Sequence, residues 1–403
     1  MLKKIEYTQA REILLSQPVF RSAEQVGLEK ALDRVLAEDL CAPMPVPNFD
    51  KSPFDGFAFR ACDVPGTLEI AGESSDGTGE LPPLRPKTAV RIFTGAPVPE
   101  GADAVIKAED ATVSYGKVMI DRRFAPGTNI IRTGETIQAG SLLLEEGRRL
   151  SPANLGMLAS VGIARVPVYK KPRVFLANTG SELVNPGTPC PKYGIYNSSY
   201  YSLSAVLRRM RLEVTTTDIL IDDREQIERT VGEAMESDAD IVMTTGGASI
   251  GDYDFALRTA KRIGAETLFW KVNIKPGGAL LAAAKNGKLY LALSGNPAAA
   301  LMSLLVVIQP FLRKLTGAES CLEELYLPMK KGFGKTSSDG RLLCGHLLLE
   351  DGKAFFVHHE GQSNNNLGAF AGCELIGLIP ANAGPLPAGN VIQVLRLPSD
   401  LRL

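Results

Sequence analysis

The spacing of apolar residues predicts an N-terminal region of helices followed by a stiff linker. Residues 8–17 and 23–38 both show the helical period. The apolar residues of the second segment fall on one helical stripe: Val26, Ala31, Leu32, Val35 and Leu36. Pro43, Pro45 and Pro47 follow within five positions, and a helix does not accommodate prolines at that density. We therefore expect two amphipathic helices and then an extended, proline-stiffened connection.

Short apolar runs separated by Gly and Pro turns predict β-structure in two other regions. The first covers residues 56–150 and is followed by a short helix at 152–162, which opens with Ser151-Pro152. The second begins after Gly317 and has the pattern of a small β-barrel or sandwich. The chain is therefore expected to contain β-rich regions on both sides of its central part.

Strands alternate with helices from residue 173 to residue 315. The predicted strands are 173–177, 213–221, 240–245, 267–272, 280–283 and 289–293, and the predicted helices are 199–211, 224–236, 254–263 and 297–315. Such alternation favours parallel strands with right-handed crossovers, and hence a central α/β/α sandwich with a mostly parallel sheet. Ligands of such sheets bind outside the carboxyl ends of the strands.

Composition and charge exclude several classes of protein. The chain has 403 residues, a formal net charge of −1, 45% hydrophobic and 22% charged residues, so it is neither disordered nor fibrous as a whole. Without a basic excess, we expect no nucleic acid and no anionic membrane as partner. The N-terminus lacks the apolar core of a signal peptide, and the most apolar run, 298–308, is shorter than the ~20 residues of a membrane span.

Cysteine and histidine usage argues against metal and hydrolase sites of the common kinds. The 6 cysteines contain no C-x-x-C pair, which predicts reduced, mostly buried thiols and a cytoplasmic location. A histidine metal site or a Ser-His-Asp triad would have to use His346, His358 or His359. Solvated or strand-face histidines are the more economical interpretation of those three.

Three polar glycine turns follow predicted strands of the central region. They are Thr179-Gly180-Ser181-Glu182, Thr245 to Asp254, and Ser294-Gly295-Asn296-Pro297. Glycine lets backbone N–H groups approach an anion, and a following helix N-terminus favours negative charge. Each turn alone is equally compatible with an ordinary strand-to-helix connection. Three at one edge of a sheet predict a site for an anionic, nucleotide-sized ligand.

Other polar residues add to this prediction, each with a simpler alternative. Lys275 in Lys275-Pro276-Gly277-Gly278 places a cation on a proline-stiffened backbone, which suits a phosphate. A solvated lysine is an equally good interpretation. Asp222 and Asp223 end a predicted strand, where an N-cap for the helix at 224 competes with a binding role. Several carboxylates are suited to holding Mg²⁺, Asp55 among them, although a lone carboxylate in the Asp55-Gly56 turn is most simply a solvated side chain.

The same motifs resemble those of the molybdopterin molybdenumtransferase family, the MoeA and gephyrin E-domain type, over nearly the whole chain. Residues 46–58 look like P-x-F-D-x-S-x-M-D-G-Y-A, and residues 93–103 are similar to T-G-A-x-x-P-x-G-A-D. Further along, residues 132–135, 179–183 and 245–254 match R-x-x-G-E, T-G-D-E-L and S-G-G-x-S-x-G-x-x-D. Lys275-Pro276-Gly277 and Gly295-Asn296-Pro297 complete seven matches in the right order.

The resemblance implies insertion of molybdenum from molybdate into adenylylated molybdopterin, with Mg²⁺ as cofactor and AMP as product. The implied catalytic group is Asp55, Thr94, Glu182, Asp222 and Asp254, of which Asp55, Glu182 and Asp254 are the implied metal ligands. The implied contacts to the pterin phosphate and the nucleotide are Gly246, Gly247, Ser249, Lys275, Ser294 and Asn296.

The resemblance also implies a four-part subunit and a homodimer. The parts are an elongated helix and linker domain at 1–44 with 141–172, a β-rich domain at 45–140, an α/β molybdopterin-binding domain at 173–318, and a C-terminal β-barrel at 319–403. The implied partners are an upstream adenylyltransferase and recipient molybdoenzymes.

Several positions depart from the family pattern and keep other functions open. Thr136 and Ser181 stand where aspartates are usual, Gly278 where a second lysine is usual, and Ser294 where a proline is usual. Phe54 and Phe57 replace Met and Tyr in the same way. The alternatives are a weakly active or non-catalytic paralogue that carries or scaffolds molybdopterin, and an α/β nucleotide hydrolase acting on another pyrophosphate.

Overall fold

The computed structural model describes residues 2–75, 84–246, 253–317, 322–363 and 365–403, without the side chains of Tyr253 and Asp254. The chain forms two compact units, one of residues 1–23 with 169–403 and one of residues 24–168. Both mix helices and strands, which confirms a multidomain α/β protein with several sheets.

A mixed sheet forms the centre of the unit made by residues 1–23 and 169–403. Its described strands lie in the order Leu2–Ile5, Glu266–Val272, Leu280–Lys285, Lys288–Leu293, Ile241–Thr245, Arg173–Asn178 and Glu213–Thr216. All described pairs are parallel except the two made by Leu280–Lys285, which runs antiparallel to both neighbours. The mostly parallel sheet predicted for this region is therefore present, with one reversed strand.

Helices cover both faces of this sheet. Tyr7–Leu15, Ser198–Arg209 and the continuous helical stretch Pro297–Thr316 share one apolar core, whereas Arg224–Glu236 and Tyr253–Arg262 pack in another. The stretch Pro297–Thr316 is long and apolar enough to span a membrane, but it is buried inside the protein as a core helix. It is α-helical except for a π-helical turn at Leu304–Ile308.

The first strand is part of the sheet of this unit, and the first helix packs in the core beside that sheet. Leu2–Ile5 pairs in parallel with Glu266–Val272, and Ala10 and Leu14 are fully buried in its core. The expected grouping of residues 1–44 with 141–172 therefore differs from the packing at the N-terminus, because a backbone pairing ties residues 2–5 to the α/β sheet.

The end of the chain adds an antiparallel sheet to the same unit. Its described strands are Glu323–Pro328, Gly340–Glu350, Lys353–His358, Leu375–Ile379 and Val391–Arg396, and Ile274–Lys275 pairs in parallel with the start of the second. Met329 bridges to Phe356, which brings the two ends of the sheet together, as in a small barrel. Short 3₁₀ turns lie at Leu367–Phe370 and Ser399–Leu401.

The unit of residues 24–168 is built around another sheet. Its described strands lie in the order Ala104–Lys107, Gly56–Phe59, Thr88–Ile92, Gly66–Ser74, Lys117–Ile120 and Thr112–Ser114. Leu40–Cys41 pairs with Leu142–Leu144, and Ala23–Gly27 pairs with Arg165–Tyr169. The helix Pro152–Ser160 begins at a capping box between Ser151 and Asn154, as the Ser-Pro signal predicted.

The predicted helix at 23–38 is wrong. Ala23–Gly27 is a strand and Leu28–Lys30 a 3₁₀ turn. Asp33 has φ +61°, which no right-handed helix contains, and Leu36 forms a bridge to Val168. The apolar stripe still faces a core, since Ala31 and Leu36 are buried, but strand pairing satisfies the backbone instead of helix formation.

The cysteines correct another expectation. Cys41, Cys62, Cys190, Cys344 and Cys373 are all free thiols, as predicted, but only the last two are buried. The prediction of mostly buried thiols is therefore wrong for the described cysteines.

Candidate functional site

Three glycine turns line one cavity of about 620 Å³. The strands Lys288–Leu293, Ile241–Thr245 and Arg173–Asn178 are adjacent and parallel, so their carboxyl ends lie side by side at one edge of the sheet. The lining residues include Thr179, Gly180, Glu182, Asn197, Ser199, Asp222, Thr245, Gly246, Ser294, Gly295, Asn296 and Pro297. The predicted meeting of the three turns is therefore what the structure shows.

The turn at Gly246 accepts only glycine because backbone segments touch there. Gly246 has φ +94°, a conformation that residues with a side chain rarely adopt. A Cβ atom would lie 2.2 Å from the carbonyl oxygen of Thr179 and 2.5 Å from its hydroxyl oxygen. A Cβ on Gly295 would in turn lie 3.2 Å from the Gly246 Cα. The three turns are thus packed backbone to backbone.

Buried polar side chains fix the strand ends below the turns. The Asn178 amide donates a hydrogen bond to the Thr245 hydroxyl, and both residues are almost fully buried. The hydroxyls of Thr244 and Tyr290 are 3.2 Å apart on the neighbouring strands. Burial raises the pKa of Tyr290 to about 12, so this phenol stays neutral and hydrogen-bonded below that pH. Such paired polar groups hold the edge of the sheet in one arrangement.

Ser294 replaces the usual proline of its turn by a hydrogen bond. Its hydroxyl accepts the backbone N–H of Asn296 at 3.2 Å, which closes a local turn. The helix that begins at Pro297 follows directly. A hydrogen bond from the Asn296 N–H to the Ser294 side chain therefore holds this turn, whereas the family motif relies on the rigid ring of a proline.

The charged residues that line the cavity within the described ranges are all negative. Among the described lining residues Glu182 and Asp222 are carboxylates and none is a lysine or arginine. Residues 247–252, which follow the Gly246 turn and lie outside the described residues, contain no basic residue in their sequence. A phosphorylated ligand in this cavity therefore needs a cation to offset the two carboxylates.

Asp222 and Asp223 have different partners. The Asp223 carboxylate accepts the backbone N–H of Gln226 at 2.7 Å and is the N-cap of the helix Arg224–Glu236. Asp222 instead lines the cavity. The sequence left capping and binding open for this pair, and the structure assigns capping to Asp223.

A second group of loops carries Asp55 and Thr94 in the unit of residues 24–168. One oxygen of the Asp55 carboxylate accepts both the backbone N–H and the hydroxyl of Thr94, each at 2.8 Å. The Thr94 backbone N–H, and after it the hydroxyl, lowers the pKa of this exposed carboxyl group. Asp55 is thus held ionised in a fixed orientation, as a metal or reaction-centre carboxylate requires.

Asp50 joins the same loops to the Arg132 segment. Its carboxylate accepts the backbone N–H of Thr133 at 2.8 Å and an Arg132 guanidinium nitrogen at 2.6 Å. The Thr133 N–H bond is the main reason that the pKa of Asp50 is lowered. Three of the quoted motifs, at 46–58, 93–103 and 132–135, therefore converge on one another within this unit.

The structure leaves other predicted site residues untested. Gly247 and Ser249 lie outside the described residues, as does the side chain of Asp254. Lys275 is exposed and is not among the described residues that line the cavity. No group of three or more His, Cys, Asp or Glu side chains suited to a metal occurs within the described ranges.

Gly278 occupies a position that excludes the usual lysine. A Cβ atom there would lie 2.5 Å from the carbonyl oxygen of Ile274 and 2.6 Å from that of Val272. Real side chains do not approach backbone oxygens so closely, so this loop is arranged around a glycine. The departure at Gly278 is therefore structural as well as electrostatic.

Some lining residues were not predicted. Asn197 and Ser199 are buried polar residues at the start of the helix Ser198–Arg209, and Asn197 caps it by accepting the N–H of Tyr200. The Thr179 hydroxyl is buried and has no hydrogen-bond partner among the described residues. The N-cap pattern of Asn197 was visible in the sequence, but its proximity to the three turns depends on the fold.

Fold and site together define a multidomain α/β protein whose parallel strands end at a polar cavity lined by three glycine turns. A family model described as the MoeA N-terminal region, domains I and II, matches residues 5–162, and one described as a probable molybdopterin binding domain matches residues 177–314.

Relatives of known name agree with these matches. A molybdopterin molybdenumtransferase of Bacillus subtilis is 35% identical over 92% of this chain and 89% of its own, and that of Haemophilus influenzae is 37% identical over 77% of each. Two crystal structures of the molybdopterin biosynthesis moeA protein of Pyrococcus horikoshii superpose with TM-scores of 0.85 and 0.77. They are 27% and 26% identical and cover 98% of this chain and 99% or 100% of theirs. The chain belongs to the molybdopterin molybdenumtransferase family.

Proposed function

We propose that this protein inserts molybdenum from molybdate into adenylylated molybdopterin and releases AMP, as a molybdopterin molybdenumtransferase in molybdenum cofactor biosynthesis. The observation that carries the proposal is the convergence of the turns at Gly180, Gly246 and Gly295 on one cavity, in a chain of this family. Backbone amides at such strand ends suit a phosphate group.

The residues present fit a magnesium ion beside a phosphorylated substrate. Mg²⁺ is usually held by one or two carboxylates together with substrate phosphates and water. Glu182 and Asp222 supply such carboxylates at the cavity, and no lysine or arginine is among its described lining residues. We assign Asp55, Glu182 and Asp254 as metal ligands, with Thr94 and Asp222 completing the reaction centre. Bound there, the ion would offset the charge that develops as the phosphoanhydride breaks.

We assign substrate contacts to residues of the turns at 245–254 and 294–297, and to Lys275. Gly246, Gly247, Ser249, Ser294 and Asn296 would bind the pterin phosphate and the nucleotide. Lys275 would add a positive charge to this set. The hydrogen bond between Ser294 and Asn296 supports the assignment, because it orients one turn before a ligand arrives.

We further propose the homodimer and the four-part subunit that the family resemblance implies, except that residues 2–15 belong to the α/β part, because Leu2–Ile5 pairs with its sheet. The protein would act in the cytoplasm, receive its substrate from an adenylyltransferase and deliver the cofactor to molybdoenzymes. Neither nucleic acid nor a membrane is part of the proposal, in keeping with the net charge of −1.

The test is AMP release by the full chain supplied with adenylylated molybdopterin, molybdate and MgCl₂. Asp222→Asn and Glu182→Gln each remove one charge from the cavity and are expected to lower kcat/KM by roughly 10²–10³-fold, the range for loss of a transition-state contact. Glu233→Gln is the matched control, since Glu233 is exposed in the last turn of the helix Arg224–Glu236. It should behave as the unsubstituted protein.

The outcomes separate the candidate functions. Well-folded protein that binds adenylylated molybdopterin in a calorimeter but releases no AMP would be a carrier or scaffold. Cleavage of simple dinucleotides, without cleavage of the pterin compound, would instead select the nucleotide hydrolase. Either result would refute the proposed transferase.

A further inference from the structure

Two loops at the cavity are joined by a reciprocal pair of hydrogen bonds. The backbone N–H of Ser181 donates to the Asp222 carboxylate at 3.1 Å, and the backbone N–H of Asp222 donates to the Ser181 hydroxyl at 3.0 Å. Ser181 follows the strand Arg173–Asn178, and Asp222 follows Glu213–Thr216, the neighbouring strand. The pair therefore closes a ring between the ends of two adjacent parallel strands.

Backbone bonds extend the strand pairing up to this ring. Leu220 N–H donates to the Asn178 carbonyl at 2.9 Å, and Gly180 N–H donates to the Leu220 carbonyl at 3.0 Å. Beyond Leu220, the bonds that hold Asp222 among the described residues are the two that it makes with Ser181. One of these two bonds uses the Ser181 side chain. Because Ser181 and Asp222 are both exposed, neither is fixed by packing.

We propose that Ser181 is a positioning residue that orients the Asp222 carboxylate toward the ligand of this cavity, an inference that rests on the proposed function. The Asp222 oxygen that does not bond to Ser181 accepts no hydrogen bond from the described residues, so it is available to a cation or a substrate hydroxyl. Asp223 is the N-cap of the helix Arg224–Glu236, so Asp222 is not needed to cap that helix.

The residue type matters because the family motif has an aspartate at this position. An aspartate side chain would also accept the Asp222 N–H, but it would add a second negative charge beside the Asp222 carboxylate. Serine makes the same bond without that charge. Ser181 therefore sets the geometry of Asp222 and the charge of the cavity separately, and substitutions can test each effect.

Three substitutions separate geometry from charge. Ser181→Ala removes the acceptor of the Asp222 N–H and is expected to lower kcat/KM for AMP release about three- to tenfold, the range for one lost hydrogen bond. Ser181→Thr keeps the hydroxyl and should restore most of the loss. Ser181→Asp keeps the acceptor and adds a charge, so it should lower the MgCl₂ concentration at half-maximal rate, whereas Ser181→Ala should raise it.

A readout besides turnover is hydrogen exchange of the segment 218–223 in the full chain. Ser181→Ala should speed amide exchange there, and Ser181→Thr should not. Ser160→Ala is the matched control, because the Ser160 side chain is exposed and its one hydrogen bond within the described part of the chain goes to the Met157 carbonyl of its own helix. It should alter neither exchange in this segment nor turnover.

The outcomes distinguish this inference from the proposed function. If the unsubstituted protein releases AMP and Ser181→Ala matches it in kcat/KM, in MgCl₂ requirement and in exchange, the positioning role is overturned while the transferase stands. If the unsubstituted protein releases no AMP, the transferase fails. The positioning role is then decided by exchange and by calorimetric binding of AMP in MgCl₂, where an unchanged Ser181→Ala would refute it.

Discussion

Substitution of Gly246 by alanine tests whether close backbone contact builds the cavity. The new Cβ would lie 2.2 Å from the Thr179 carbonyl oxygen, at a residue with φ +94°. A positive φ costs an alanine roughly 1–2 kcal/mol. Forcing a methyl group into a filled space costs typically about 1–3 kcal/mol more. We therefore expect Gly246→Ala to destabilise its unit by roughly 2–5 kcal/mol.

Gly264→Ala isolates the contact from the backbone strain. Gly264 has φ +71° in the same unit, and a Cβ there would meet no atom of the described residues within 4 Å. Its substitution should cost only the conformational part. The difference between the two variants, roughly 2 kcal/mol, then measures the contact between the turns.

The assay is thermal unfolding followed by fluorescence of the single tryptophan, Trp270, in the strand Glu266–Val272 of the same unit. A change of 1 kcal/mol shifts Tm by about 2–4 °C for 150–250 residues, so Gly246→Ala should melt roughly 4–8 °C below Gly264→Ala. A chain of several domains need not unfold in one step, and the comparison therefore uses the same transition at the same scan rate. Equal Tm values for both variants would refute the reasoning.

Three further predictions follow from the structure. Thr94→Val removes a hydroxyl that helps to lower the pKa of Asp55, so the acidic limb of the pH profile of kcat/KM should move to higher pH. Thr94→Ser should leave that limb in place, and a limb that is the same in both would contradict the role of the hydroxyl. Tyr290 has its pKa raised to about 12, so stability from this neutral phenol is complete below pH 10 and is lost as pH rises from 10 through about 12. Tyr290→Phe should flatten that part of a Tm-against-pH curve, and an unchanged slope would exclude the phenol as its source. Gly278→Lys should lower Tm relative to Gly384→Lys, where a Cβ would meet none of the structure's described atoms within 4 Å. Equal Tm values would show that the Gly278 loop is not tightly packed.

The central sheet and its ligand edge were predictable because their signals are local and repeated. Strand and helix patterns alternate along residues 173–315, and three of the predicted strands are each followed by a polar glycine turn. The rule that parallel strands present their carboxyl ends at one edge then brings Gly180, Gly246 and Gly295 together without any knowledge of side-chain packing. The helix Arg224–Glu236 was predicted with its observed bounds because Asp223 caps it.

The failures have a different physical origin. In the segment 23–38 a helical stripe of apolar residues was present, but the bridge of Leu36 to Val168 and the positive φ of Asp33 depend on partners distant in sequence. The link between Ser181 and Asp222 is of the same kind, since it joins residues 41 positions apart. Periodicity reports which face is apolar, and it carries no information on which distant backbone completes the hydrogen bonds.

The departures from the family motifs argue for adjustment of the site more than for its loss. In the unit that holds the cavity, serine for aspartate at Ser181 removes one negative charge and glycine for lysine at Gly278 removes one positive charge, so the net charge contributed by these positions is unchanged. Ser181 keeps an acceptor for Asp222, and Ser294 replaces the stiffness of a proline by a bond to the Asn296 N–H. At Gly278 the surrounding carbonyl oxygens leave no room for a side chain, so the loop is packed around its glycine. A site that had merely decayed would be expected to lose contacts and to accumulate unbalanced charge. These replacements instead keep the contacts and leave the net charge of the two positions unchanged, and they therefore favour a working transferase over a binding protein that has lost its chemistry.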